Sequence, residues 1–181
     1  YKSILQGICT LIENGQHNRI QFNNLAILPN TEMGNPEFQE DYDFKIVQTK
    51  IVNSHGRKQT AISGIDEYQE LVVGTSTMPP EDWVRTRALC YMVNLIYFDK
   101  LLQIPIITLN KVSRVSYQKI FKAFVKNSRK SKKYPIFFEA WEFFENCARE
   151  IQKGGDEYVH SAERLDIYWY PDEYVLIKLC R

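Results

Sequence analysis

Glu157 and His160 form a Glu-x-x-His pair, which on a helix turns both side chains to one face and makes half of a di-iron carboxylate centre. The second copy and the two extra glutamates such a centre needs do not follow, so a plain surface pair is the competing reading. Glu139, Glu142, Glu145 and Glu150 could also act as paired carboxylates. They share their segment with Phe137, Ala140, Trp141, Phe144 and Ala148, however, whose spacing is a helical apolar stripe with the glutamates on its solvated face. Lys126, Arg129, Lys130, Lys132 and Lys133 read either as a phosphate-contacting patch or as a solvated linker between two helices. Tyr168, Trp169 and Tyr170, with Trp141 and Phe143, could stack on a flat ligand, but core packing is the commoner use of such residues. His17 and His55 lack ligand-like neighbours in the sequence. Cys9, Cys90, Cys147 and Cys180 are never closer than 33 positions, which excludes short-spaced metal and redox motifs and leaves them as buried thiols. Nucleophile-elbow, P-loop and dinucleotide-binding glycine patterns are absent.

The elements that must position these residues change character along the chain. Ile4, Leu5, Ile8, Leu11 and Ile12 repeat as an amphipathic helix, and Gly15 stands where a C-terminal cap belongs. Arg19 to Leu28 alternates as a strand and stops at Pro29. Asn30 to Asn35 is a polar loop, Pro36 to Tyr42 a short helix led by proline, and Phe44 to Val52 and Glu70 to Val73 are further strands. Asn53 to Gly64 reads as a mobile loop. After Thr75 the period becomes helical. Thr77 is the expected cap of a helix running through Trp83, Leu89, Met92, Ile96 and Leu101, with more helices over Ser116 to Asn127, Pro135 to Lys153 and Pro171 to Leu179.

A chain of 181 residues with 44% hydrophobic residues has ample material for a packed core. Its 23 basic and 22 acidic residues nearly cancel, so no overall field favours nucleic acid or an anionic membrane. No apolar run reaches the roughly 18 residues that span a bilayer, and no signal-peptide pattern opens the chain, so a cytoplasmic location is expected. Tyr1 leads directly into a helix, which points to processing or to excision from something longer. A helix followed at once by one strand is half of a β/α repeat and cannot close a sheet alone.

The stretch Pro29-Asn30-Thr31-Glu32-Met33 resembles the end of the catalytic barrel in radical SAM enzymes of the cobalamin-binding type, where a strand runs into Pro-Gly-Thr-x-Leu and a short helix. Val73-Gly74-Thr75-Ser76-Thr77-Met78, running into Glu81-Asp82-Trp83, and Ile167 to Glu173 are similar to tail segments of the same family. The resemblance implies a parent Fe-S oxidoreductase or methyltransferase with a 4Fe-4S cluster, S-adenosylmethionine and, as an open option, cobalamin. None of these sites is complete here, since neither Cys-x3-Cys-x2-Cys nor the Asp-x-His-x-x-Gly cobalamin signature occurs. Carried over by position, the backbone of Ile27, Leu28, Pro29 and Asn30 approaches the adenosine of S-adenosylmethionine, and Thr31 caps the rim. Asn replaces the family's Gly at position 30, and it is the non-glycine residue most tolerant of the left-handed backbone required there.

The expected architecture is α+β: the last helix-strand unit of a partial (β/α) barrel with a few added strands, then a mainly helical C-terminal tail. Residues 1–52 end the barrel, 53–75 form a loop and short strand, and 76–181 make the helical domain. No catalytic or metal-ligating residue is expected in this piece, whose role is to pack on the barrel and shape the substrate entrance. Its partner is then the upstream part of the same polypeptide, and the open edge of the Arg19 to Leu28 strand invites self-association. The alternative is a free-standing module that holds a protein or nucleic-acid partner through the basic linker and aromatic tail.

Overall fold

A computed structural model describes residues 1–58, 66–130 and 132–180. Part of the expected mobile loop, Gln59 to Gly64, lies outside the described residues. The order begins with α1 (Lys2–Glu13), β1 (Leu25–Ile27), a 3-10 turn at Glu32–Gly34, α2 (Pro36–Asp41), β2 (Lys45–Lys50) and β3 (Tyr68–Gly74). It continues with α3 (Pro80–Val93), a π-helical segment Asn94–Phe98, α4 (Gln103–Ser113), α5 (Tyr117–Ser128), α6 (Pro135–Gln152), β4 (Val159–Ser161), β5 (Ile167–Trp169) and α7 (Pro171–Leu179). Helix and strand are thus mixed as α+β.

The apolar stripe of α1 folds as its spacing requires: Leu5, Ile8, Cys9 and Ile12 are buried against the other helices. Gly15 ends it at φ +94°, with its N–H on the Ile12 carbonyl and that of Gln16 on the Leu11 carbonyl, the paired closure that a left-handed residue permits. Gly154 closes α6 in the same way. The main core gathers α1, α3, the π segment, α5 and α6 around Tyr97, Tyr117, Phe121 and Phe144.

Three of the sequence expectations are corrected. The strand expected over Arg19 to Leu28 shortens to Leu25–Ile27, and it pairs antiparallel with β3 in a sheet of order β1-β3-β2. The described residues therefore contain an antiparallel sheet and no parallel barrel pairing. Thr77 does not cap α3, whose N-cap is Pro79 without a side-chain bond, whose first residue is Pro80 and whose first turn carries Glu81 and Asp82, favourable to the helix dipole. That helix also does not run to Leu101: it widens at Asn94, where the Asp99 N–H reaches back to the Asn94 carbonyl, and the unbroken burial that begins at Ala88 continues through Phe98. Helix α4 and the β4–β5 hairpin lay outside the expectations altogether.

The sheet is held from one side. Ala26 and Val47, cross-strand partners of Leu71, pack with Leu71 and Val73 on a second core of Trp83, Val84, Ala148 and Ile151. Residues 53–58, expected to belong to a mobile loop, instead bond to β5: the His55 N–H donates to the Tyr168 carbonyl at 2.7 Å and the Tyr168 N–H to Gly56 at 3.0 Å.

Phe144 is fully buried beside Tyr91, at 5.6 Å between ring centroids. Phe144→Ala should lower unfolding free energy by about 3–5 kcal/mol in urea titration, whereas Ile104→Ala, on a side chain 77% exposed, should change it by less than about 0.5 kcal/mol.

Candidate functional site

The turn after β1 forms as its residue types demand. Thr31 donates from its N–H to the Leu28 carbonyl at 3.3 Å and from Oγ1 to the same oxygen at 2.7 Å, closing Leu28-Pro29-Asn30-Thr31. Pro29 takes the second position of this turn and Asn30 the third at φ +63°, the type II arrangement in which glycine is usual. Ile27 is buried at its root, while Leu28, Pro29 and Asn30 are exposed. Asn35 then caps α2 by accepting from the Glu37 N–H.

At the opposite end of β1 lies a cavity of about 310 Å³. The pairing of Leu25 with Val72 puts both in its wall, and Ile4, Met78 and Trp83 complete a mostly apolar lining. Gly74, Thr75, Thr77 and Met78, from the second segment of the family resemblance, border it, held by a tight turn in which the Thr75 N–H donates to the Met78 carbonyl at 2.8 Å. Arg87 of α3 forms the polar corner, donating to the Phe22 carbonyl and, at 3.0 Å, to the Tyr91 hydroxyl. Ile27, Leu28, Pro29 and Asn30 take no part in this cavity.

Beside it, Glu157 accepts from Asn24 Nδ2 at 2.5 Å and from Gln69 Nε2 at 2.6 Å, tying β1 and β3 to the chain before β4. His160 sits in β4 and bonds to Asp166 at 2.9 Å. Glu157 and His160 therefore share no helix, and the half di-iron reading is overturned. Among the described residues no cluster of three metal-ligating side chains forms. Cys9 and Cys90 are buried, and burial pushes both thiols up to about 11. Cys147 is half-buried, with its thiol pushed up to about 12 by burial, and Cys180, expected to be buried, is exposed.

The aromatic tail is used internally. Tyr168 is buried, and the Tyr170 ring lies under the Arg19 guanidinium at 5.1 Å. Arg129 covers Trp141 at 5.8 Å to the ring centroid. Arg19 is also the centre of a charge cluster that the sequence reading missed. It reaches Asp99 at 2.5 Å, Asp172 at 2.6 Å and Glu173 at 3.1 Å, and Glu173 accepts from His55 Nε2 at 2.7 Å. An arginine inside an apolar, strand-like run was the available signal. His55, read as lacking ligand-like partners, thus has a carboxylate neighbour.

No family model matches the chain. Over 96 residues it is 28% identical to the cobalamin-dependent radical SAM methyltransferase TokK of Streptomyces tokunonensis. The likeness is local and distant. It covers 53% of this chain and 14% of that enzyme, so the chain spans only a small part of its relative's length. This similarity agrees at family level with the resemblance carried by Pro29 to Met33. Among the described residues no single helix is long and apolar enough to cross a membrane.

Asp172 is fully buried, and burial, reinforced by Asp99 and only partly offset by Arg19, raises its carboxyl to about 7. The folded state thus holds a proton that the unfolded chain releases near pH 4. Its stabilising contribution is complete below that point and is lost as pH rises through about 7. Asp172→Asn should flatten the decline in unfolding free energy between pH 4 and 8 by roughly 2–4 kcal/mol, measured by denaturant titration at each pH; a profile parallel to the unsubstituted chain would refute the assignment.

Proposed function

We propose that this chain is a non-catalytic C-terminal portion of a radical SAM enzyme of the cobalamin-binding type, packing against a barrel formed with the rest of the polypeptide and shaping the entrance for substrate. The observation that carries the reading is the turn at Asn30. It holds φ +63° at the position where the family pattern has glycine, within a chain whose similarity to a cobalamin-dependent radical SAM methyltransferase arises independently of that turn's conformation.

On this reading residues 1–52 meet the barrel, 53–75 connect, and 76–181 form the tail, with α1 reaching into the tail's core. The backbone of Ile27 to Asn30 lies against the adenosine of S-adenosylmethionine, and Thr31 steadies the turn through its bond to Leu28. The outer edge of β1, which pairs only with β3 among the described residues, accepts a strand from the barrel. The apolar cavity beside Leu25 then contributes one wall of the substrate entrance. The residues present do not suit a 4Fe-4S cluster, since the thiols stand on separate elements and burial disfavours three of them as thiolates. The cluster, the cobalamin and the methyl-transfer chemistry belong to other parts of the polypeptide, in the cytoplasm.

Isolated without oxygen, the native polypeptide should prove much longer than 181 residues and carry about four irons per molecule; a chain of this length without iron would refute the reading. In that polypeptide Asn30→Gly should leave the KM for S-adenosylmethionine unchanged. Asn30→Val, which strains the left-handed turn by about 1–3 kcal/mol, should raise it about tenfold or more, and equal KM values for the two variants would remove the turn from the cofactor site.

A further inference from the structure

Between Leu101 and Phe138 the chain has nine Lys and Arg and no Asp or Glu, so all 22 acidic residues lie outside this stretch. The near-neutral total hides that segregation. The stretch folds into α4, α5 and the start of α6, and among the described residues none of its nine cations forms an ion pair with a carboxylate.

The same three elements enclose an open groove of about 340 Å³, walled by Leu109, Val115, Ile120, Ala123, Phe124 and Phe137. Lys119 forms part of the wall, and Lys126 stands two helical turns along α5, next to groove-lining Asn127. Helix α4 buries only Ile106, although it also carries Ile104, Leu109 and Val112, and the exposure of Ile104 and Val112 reaches 77%. An apolar helix face left open beside a groove is unusual for a surface that stays solvated.

We infer that this groove is a docking site for an acidic amphipathic helix of a protein partner. Its walls on α5 recur at positions 119–120, 123–124 and 127, so it follows that helix for about 12 Å, the length over which a docked helix presents anchors at i, i+3 or i+4, and i+7. The walls are mostly aliphatic and phenyl groups, with Lys119, Asn127 and Tyr134 as the polar members, and such a surface fills with Leu or Met side chains and offers little hydrogen-bonding pattern to bases. The apolar surface is concave, whereas a bilayer is met by residues that protrude from a flat or convex face. Unpaired cations around an apolar slot favour a partner whose polar face is acidic, which both attracts it and excludes basic competitors. The inference does not depend on the radical SAM reading, because neither the turn after β1 nor the cavity beside Leu25 contributes to this groove.

The test uses the intact polypeptide and a fluorescein-labelled synthetic helix of about 18 residues, with Leu at i, i+3, i+4 and i+7 repeats and Glu elsewhere, followed by anisotropy. Binding should weaken with added salt. Ala123→Trp, which fills the groove from an exposed position, should weaken it at least about tenfold, as should Lys119→Glu combined with Lys126→Glu. All three substituted positions are exposed, and unchanged circular dichroism and melting temperature would show that the fold persists. A control peptide with Lys in place of Glu should not bind. Absence of binding by the acidic helix, undiminished binding to Ala123→Trp, or a preference for phosphatidylglycerol vesicles or a single-stranded oligonucleotide would each overturn the inference.

Discussion

The Arg19 guanidinium is the constraint on which the chain's long-range order depends. It joins carboxylates 80 and 153 positions away in sequence and lies over the Tyr170 ring. Desolvating Asp99 and Asp172 is costly, and they are tolerated there because one cation, itself only 29% exposed, faces both. Burial itself is what lifts the Asp172 carboxyl, opposed by Arg19 and supported to a lesser degree by Asp99, and the cluster holds more carboxylates than guanidiniums. Removing the guanidinium would leave that excess uncompensated at the junction of the α1–β1 connection, the end of the π segment and the start of α7.

The π segment is what brings Asp99 to that junction. One added residue in the turn at Asn94 rotates the following chain, so Tyr97 reaches His17 at 2.7 Å while Leu95 to Phe98 remain in the core. Asp99 then follows at the edge of the core, opposite Arg19. On the other side of the same connection Glu157 gathers Asn24 and Gln69. The segment between α1 and β1, irregular in backbone, is therefore fixed by charge and hydrogen bonding at Arg19 and Asn24 rather than by a strand ladder.

That arrangement explains which parts of the molecule were legible in its sequence. The stripes of α1 and α6, the helix over α5, the glycine closure at Gly15 and the turn at Asn30 all follow from local periodicity or local backbone chemistry, and the sequence reading found them. The strand expected over Arg19 to Leu28 was overextended because alternation at Ile20 and Phe22 mimics a ladder, when both side chains pack on the helical core instead. Helix α4 went unseen: it lacks a side-chain cap, has Pro105 in its first turn and leaves apolar residues on its exposed face, so its pattern is not amphipathic. The hairpin of β4 and β5 has strands of three residues, too short for period two to register. The cavity and the charge cluster are products of contacts far apart in sequence, and no spacing rule encodes them.

The two ends of the molecule are consequently unequal in how firmly they are held. The wall of the cavity formed by α3 rests through Trp83 on the second core of Val84, Ala148 and Ile151, whereas the opposite wall is a three-residue strand with one neighbour among the described residues and Leu25 partly exposed. Few buried contacts mean a low free energy of local opening, so β1 and its turn can shift while the helices stay in place. A strand added along the open edge would supply the missing ladder to β1 and fix the turn at Asn30 without disturbing the helical core. On the proposed reading such a piece would complete a larger site, its α3 face setting the shape of one wall and the open edge of β1 taking its final geometry from the strand that pairs with it.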